Sequence, residues 1–142
     1  MKTIRNAIVI LLLAVAGLAA ANAAPREEKV VYHINDGANP MVALRNIGNH
    51  LDASPKAQIV VVTHGPGIDF LLEDAKDKNG NPYDVVVQEL SNRKVQFRVC
   101  NNTLVAFKID KSRVIPEASI VPSGVAEVSR LQVQEGYAYI KP

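Results

Sequence analysis

The stretch Ile59-Val60-Val61-Val62 decides the fold. Apolar at every position, it lacks the in-and-out alternation of a half-buried strand, as expected of a strand covered by helices on both faces of a parallel sheet. His64-Gly65-Pro66-Gly67 follows closely and predicts a turn into a short helix around Ile68 to Ala75. Upstream, Val30 to Ile34 reads as the first strand. Asn39-Pro40 then predicts a helix start, with Asn as N-cap and Pro at the first helical position. Met41, Leu44, Ile47 and Leu51 recur at spacings of three and four, an amphipathic period that ends near Asp52.

Downstream, Asp77-Lys78-Asn79-Gly80 reads as a surface loop, and Asn81-Pro82 repeats the Asn-cap and Pro device before Tyr83, Val86, Val87 and Leu90. Val95, Phe97 and Val99 alternate with Gln96 and Arg98, which predicts a less evenly covered strand that delivers Cys100 at its end. Asn101-Asn102-Thr103 supplies cap-type residues for a helix or turn. Ile120-Val121 is a fourth strand, Ser123 caps a helix over Val125 to Gln134, Gly136 stops it, and Tyr137 to Ile140 is a terminal strand. Strands and helices that alternate this strictly, with short connections, imply right-handed crossovers. The expected architecture is an α/β fold: a three-layer α/β/α sandwich around a mainly parallel five-stranded sheet, forming one domain over residues 24–142.

The first 23 residues read as a cleaved signal peptide. Lys2 and Arg5 form a positive n-region, Ala7 to Ala21 is a run of 15 apolar or small residues, and Ala21-Asn22-Ala23 supplies the cleavage pattern. That run is short for a spanning helix, which needs ~20 apolar residues. The mature chain is therefore expected in the periplasm, without a membrane anchor. Removing Lys2 and Arg5 leaves 14 basic and 14 acidic residues, scattered among one another. A neutral chain without a basic patch gives no footprint for nucleic acid. A single cysteine excludes an internal disulfide framework, a Cys-rich zinc module and a Cys-x-x-Cys redox pair.

In open parallel sheets, ligands and reactive groups collect beyond the carboxyl ends of the strands. Those ends carry His33-Ile34-Asn35-Asp36-Gly37, Thr63-His64-Gly65, Cys100-Asn101-Asn102 and Pro122-Ser123-Gly124. The candidate site residues are accordingly Cys100, His64 and His33. At a strand-to-helix turn, the positive end of the helix favours a thiolate at Cys100, and a nearby histidinium would act in the same direction. The competing reading makes Cys100 a small buried hydrophobe. For His64 the choice lies between a backbone N–H nest for a small anion in Gly65-Pro66-Gly67 and a plain turn that needs glycine for its backbone angles. His33 either pairs with Asp36 or faces the interior, and His50 reads as a solvated histidine late in its helix. His33, His64 and Cys100 would be the ligands of a metal site, although no local ligand spacing supports one. Phosphate-loop, dinucleotide-binding, nucleophile-elbow and zincin motifs are all missing. Ser123, with no evident base, reads as an N-cap.

Across the mature chain the sequence resembles the exported branch of the DsrE/DsrF-like sulfur-relay family. The resemblance rests on Val31-Tyr32-His33-Ile34-Asn35-Asp36-Gly37, Leu44-Arg45-Asn46-Ile47-Gly48-Asn49-His50-Leu51 and Val61-Val62-Thr63-His64-Gly65. It continues through Phe97-Arg98-Val99-Cys100-Asn101-Asn102-Thr103-Leu104, Val121-Pro122-Ser123-Gly124-Val125-Ala126-Glu127 and Glu135-Gly136-Tyr137-Ala138-Tyr139. It implies a compact α/β/α domain that assembles into homotrimers or homohexamers. It also implies a periplasmic sulfur-relay function, in which Cys100 carries sulfane sulfur as a persulfide and passes it to an acceptor thiol. His64 and His33 would stabilise the charged persulfide, no cofactor is needed, and the donor and acceptor are proteins or small thiols yet to be identified. The alternative is a non-catalytic oligomeric binding module whose strand-end rim holds a small anion or a protein partner.

Overall fold

The computed structural model describes residues 27–142; the signal peptide expected over residues 1–23 lies outside the described residues. Five strands form one sheet: β1 (Lys29–Ile34), β2 (Gln58–Thr63), β3 (Gln96–Cys100), β4 (Ala118–Val121) and β5 (Ala138–Ile140), in the order β4-β3-β2-β1-β5. Every pairing is parallel. Helices α1 (Pro40–Ala53), α2 (Tyr83–Asn92), α3 (Asn101–Phe107) and α4 (Gly124–Glu135) connect them. Among the described residues, no helix is long and apolar enough to cross a membrane.

The larger core lies on one sheet face. There Tyr32, Ile34, Val61, Phe97 and Val99 meet Leu44, Ile47 and Leu51 of α1, Val87 and Leu90 of α2, and Leu104 of α3. The smaller core lies on the other face, where Val31, Val60 and Val62 pack against Val128 and Leu131 of α4 and against Tyr137. This division explains the unbroken apolar run of β2: its alternate side chains enter different cores, and Ile59 through Thr63 are all buried. On β3, Gln96 is exposed, and half-buried Arg98 forms an ion pair with Glu127 of α4. The alternation in that strand thus reflects a face where α4 offers a carboxylate as well as apolar surface.

Local chemistry differs from expectation at three helix starts. Asn39 occupies the N-cap of α1 without a side-chain cap bond. The second Asn-Pro pair is shifted by one: extended Pro82 is the N-cap of α2, while the Asn81 amide donates to the Asp77 carboxylate at 3.0 Å and so closes the loop. The helix expected around Ile68 to Ala75 is instead a 3₁₀ segment over Gly65–Leu71. It ends where Leu72 bridges to Val114, because a strand-like contact requires extended backbone. Ser123 does cap α4, accepting a hydrogen bond from the Ala126 N–H at 3.5 Å, and Gly136 ends that helix at a φ of 75°.

Candidate functional site

Strand periodicity places the candidate residues. Side chains two residues apart share a sheet face. Val31 and His33 stand opposite Val60 and Val62, so His33 projects from the α4 face, and His64 continues the same phase just beyond β2. Cys100 continues the phase of Gln96 and Arg98 at the end of β3, whose neighbour is β2. Tyr139 of β5 stands opposite Val31. Four side chains from four adjacent strand ends therefore converge on one rim of the sheet, at the N-terminus of α4.

Cys100 is the N-cap of α3 and only 5% exposed. Burial pushes the thiol up, yet its hydrogen bonds prevail and hold it below its ordinary value. The donors are the backbone N–H groups of Gly124, Thr103 and Asn102 together with the Thr103 hydroxyl. Asn102 and Thr103 lie in the first turn of α3 and Gly124 begins α4, so the sulfur faces the free N–H groups of two helix starts. The two readings of Cys100 both hold in part: it is buried, and its surroundings favour the thiolate. The fit is close at Gly124, where an added β-carbon would come within 3.1 Å of the Thr63 carbonyl oxygen and 3.2 Å of the β-carbons of both Cys100 and His64.

His33 and His64 meet directly, Nε2 to Nε2 at 2.6 Å, and His33 Nδ1 lies 2.8 Å from the Tyr139 hydroxyl. Burial holds both imidazoles below the ordinary histidine value. The charge of Lys141 adds to this at both rings, as the neighbouring His64 does at His33. Both shifts favour neutral rings rather than a histidinium on the rim beside Cys100, and the Nε2–Nε2 contact has room for one proton between the rings. Beyond His33 a cavity of about 180 Å³ is lined by Asn35, Asn39 and Lys141 among others. Asn35 Oδ1 and Asn101 Oδ1, from the residues after β1 and after Cys100, are buried without a hydrogen-bond partner.

Several alternatives that the sequence leaves open are decided, and the reading of His50 is corrected. Asp36 does not pair with His33; its carboxylate accepts the Ala38 N–H at 2.6 Å. The Gly65-Pro66-Gly67 segment offers no anion nest: Gly65 N–H donates to Thr103 Oγ1 at 3.0 Å, Gly67 N–H donates to the His64 carbonyl at 3.2 Å, and Pro66 has no N–H. Its glycines serve the backbone. Gly65 has a φ of +53°, and a β-carbon on Gly67 would lie 2.2 Å from the Ile34 carbonyl oxygen. His50 is not freely solvated, since its ring bridges the Tyr32 hydroxyl at 2.9 Å and the Glu28 carboxylate at 2.8 Å. Among the described residues no group of three or more His, Cys, Asp or Glu side chains is arranged to hold a metal ion.

Sequence reasoning missed Thr103, Gly124 and Tyr139. Thr103 and Gly124 occur in the strand-end segments but read there as helix-cap chemistry. Tyr139 carried a usable signal, because an aromatic hydroxyl on a terminal strand shares a rim with His33 once β5 pairs with β1.

Comparisons with known proteins agree with this architecture. The model of the DsrE/DsrF-like family matches residues 14–142. A solved protein of unknown function, MTH1491 from Methanobacterium thermoautotrophicum, is 31% identical with a TM-score of 0.72, over 82% of this chain and 100% of that one. The ychN protein from E. coli is 11% identical with a TM-score of 0.66, over the same 82% and 100%, a likeness of fold. No curated protein matches the chain.

Proposed function

Because the chain belongs to the DsrE/DsrF-like family, whose general role is sulfur relay, we propose that it carries sulfane sulfur as a persulfide on Cys100. The observation that supports this most directly is the set of donors around the sulfur: N–H groups of Asn102, Thr103 and Gly124 and the Thr103 hydroxyl. Such donors favour the thiolate, which is the nucleophilic form. In the loading step the thiolate attacks the outer sulfur of a persulfide or similar donor. A new S–S bond forms, and the donor's own sulfur leaves with the electron pair of the broken bond. In the unloading step an acceptor thiolate attacks the outer sulfur, and Cys100 leaves as thiolate. Neither step needs an added oxidant or reductant. His64, whose β-carbon flanks the same point at Gly124 as that of Cys100, and His33, which contacts His64, are the groups on this rim that would meet the charged outer sulfur.

The proposal includes export to the periplasm through residues 1–23 and assembly as a homotrimer or homohexamer, with protein or small-thiol donors and acceptors. Mass of the exported protein tests the first, and light scattering of the purified protein the second. Binding of an anion by the glycine turn gains no support, since its N–H groups are engaged.

The deciding experiment is the intact mass of wild type and Cys100→Ser before and after exposure to a sulfane-sulfur donor. The expected result is a gain of one sulfur atom, removable by reductant, on wild type alone. Equal gain on both proteins, or no gain on a thiol shown to be reduced, refutes the proposal.

A further inference from the structure

The chain of contacts Tyr139–His33–His64 has a direction, and direction decides what His64 offers at the rim. Its links are Tyr139 hydroxyl to His33 Nδ1 at 2.8 Å and His33 Nε2 to His64 Nε2 at 2.6 Å. The Nε2–Nε2 contact accommodates one proton: two N–H groups would repel, and two bare nitrogens would have nothing to share. With both rings neutral, two arrangements satisfy both links. In one, the Tyr139 O–H donates to His33 Nδ1, His33 Nε2–H donates to His64 Nε2, and His64 keeps its proton on Nδ1. In the other every donor is reversed and His64 Nδ1 is bare. Each arrangement contains one Nδ1–H and one Nε2–H histidine, so intrinsic tautomer preference cancels between them. The tyrosine link then decides. A phenol is a far better donor than acceptor towards an imidazole nitrogen, whose lone pair is the more basic by a wide margin.

We propose that Tyr139 is a positioning residue that sets this chain in the first direction, so that His64 presents Nδ1–H as a hydrogen-bond donor to the outer sulfur of a Cys100 persulfide. His64 stands in the right place: its β-carbon and that of Cys100 flank the same point at Gly124, each 3.2 Å from it. Among the described residues, His64 Nδ1 has no other hydrogen-bond partner. The groups around the pair are Tyr139 of β5, Lys141 just after it and Asp36, which lines the same cavity as His33 but accepts the Ala38 N–H; Cys100 ends the neighbouring strand, and no carboxylate hydrogen-bonds either ring among the described residues. Burial and then the charge of Lys141 favour the neutral form of both rings, the form in which only these two arrangements exist. The inference rests on the carrier reading for its purpose, while the tautomers stand independently of it.

Nitrogen-15 NMR of the histidine rings in the full chain, at about pH 8 and so above the ordinary histidine range, reads the direction without any sulfur transfer. The expected wild-type spectrum shows His64 protonated on Nδ1 and His33 on Nε2. Tyr139→Phe removes the deciding donor, and the His64 Nδ1–H population should fall measurably, with Nε2–H appearing in its place. A wild-type His64 protonated mainly on Nε2, or a Tyr139→Phe spectrum unchanged from wild type, overturns the inference. On loaded protein, the pH below which persulfide alkylation slows should move upward in Tyr139→Phe, and a coincident profile also counts against it. If Cys100 accepts no sulfur, the carrier reading fails by mass while the tautomers still give their own answer.

Discussion

Thr103→Val tests the thiolate cradle at its most exposed assumption, that one hydroxyl serves two partners. Thr103 Oγ1 accepts the Gly65 N–H at 3.0 Å and donates to the Cys100 sulfur. Valine keeps the shape and deletes both bonds. A hydrogen bond to a charged group contributes ~1.5–3 kcal/mol, and each pKa unit corresponds to ~1.4 kcal/mol. The Cys100 pKa should therefore rise, with the N–H groups of Gly124, Thr103 and Asn102 retained. At a pH below the thiol's titration, a loss of ~1.5–3 kcal/mol lowers the thiolate fraction by about ten- to a hundredfold, and the alkylation rate falls by less because the more basic thiolate is the better nucleophile. The Gly65 N–H also loses its acceptor, which should cost ~1–3 kcal/mol of stability because the group is only partly solvated. Thiolate ultraviolet absorbance against pH reads the first effect, and urea unfolding the second. Thr103→Ser keeps the hydroxyl and should titrate with wild type. If Thr103→Val also titrates with wild type, the hydroxyl does not stabilise the thiolate and the reasoning is wrong.

Further expectations follow from the backbone and the histidines. Gly67→Ala should destabilise by about 3 kcal/mol or more, since the new β-carbon falls 2.2 Å from the Ile34 carbonyl oxygen and the opposing atoms are backbone. By contrast, Gly48→Ala, with nothing within 4 Å of its β-carbon, should stabilise α1, by ~0.5–1 kcal/mol. Urea midpoints of the two variants check both signs. The histidine pair should make the fold acid-sensitive: both folded-state pKa values are lowered, so the unfolded chain binds more protons on acidification. Stability from this source is present above the ordinary histidine range and is lost as pH falls through it towards the folded values. Thermal melts of His33→Gln/His64→Gln should show a flatter pH dependence over that interval than wild type, and an unchanged slope would refute the assignment.

Most of the fold was legible because local patterns and tertiary burial agree. The period of three and four in Met41, Leu44, Ile47 and Leu51 is the core-facing side of α1, with Met41 partly buried at its start, and the unbroken Ile59–Val62 run is a central strand between two cores. Helix starts were less legible. Asn81 and Asn39 carry the residue type of a cap, but a cap bond depends on backbone angles set by neighbours, and Asp77 takes the Asn81 amide instead.

The sequence by itself determined the element order, the parallel sheet and the gathering of histidines and cysteine at strand ends, because those follow from hydrophobic period and chain direction. Only the tertiary structure decided which strands are neighbours. That choice sets β1, β2 and β3 side by side, turns His33 away from Asp36 towards His64, and brings Gly124 from a distant helix start to the Cys100 sulfur. The physical reason is that hydrogen bonds are short-ranged. Whether two groups bond depends on the pairing and register that pack the two cores, and groups 31 residues apart, as His33 and His64 are, meet only after those cores have formed.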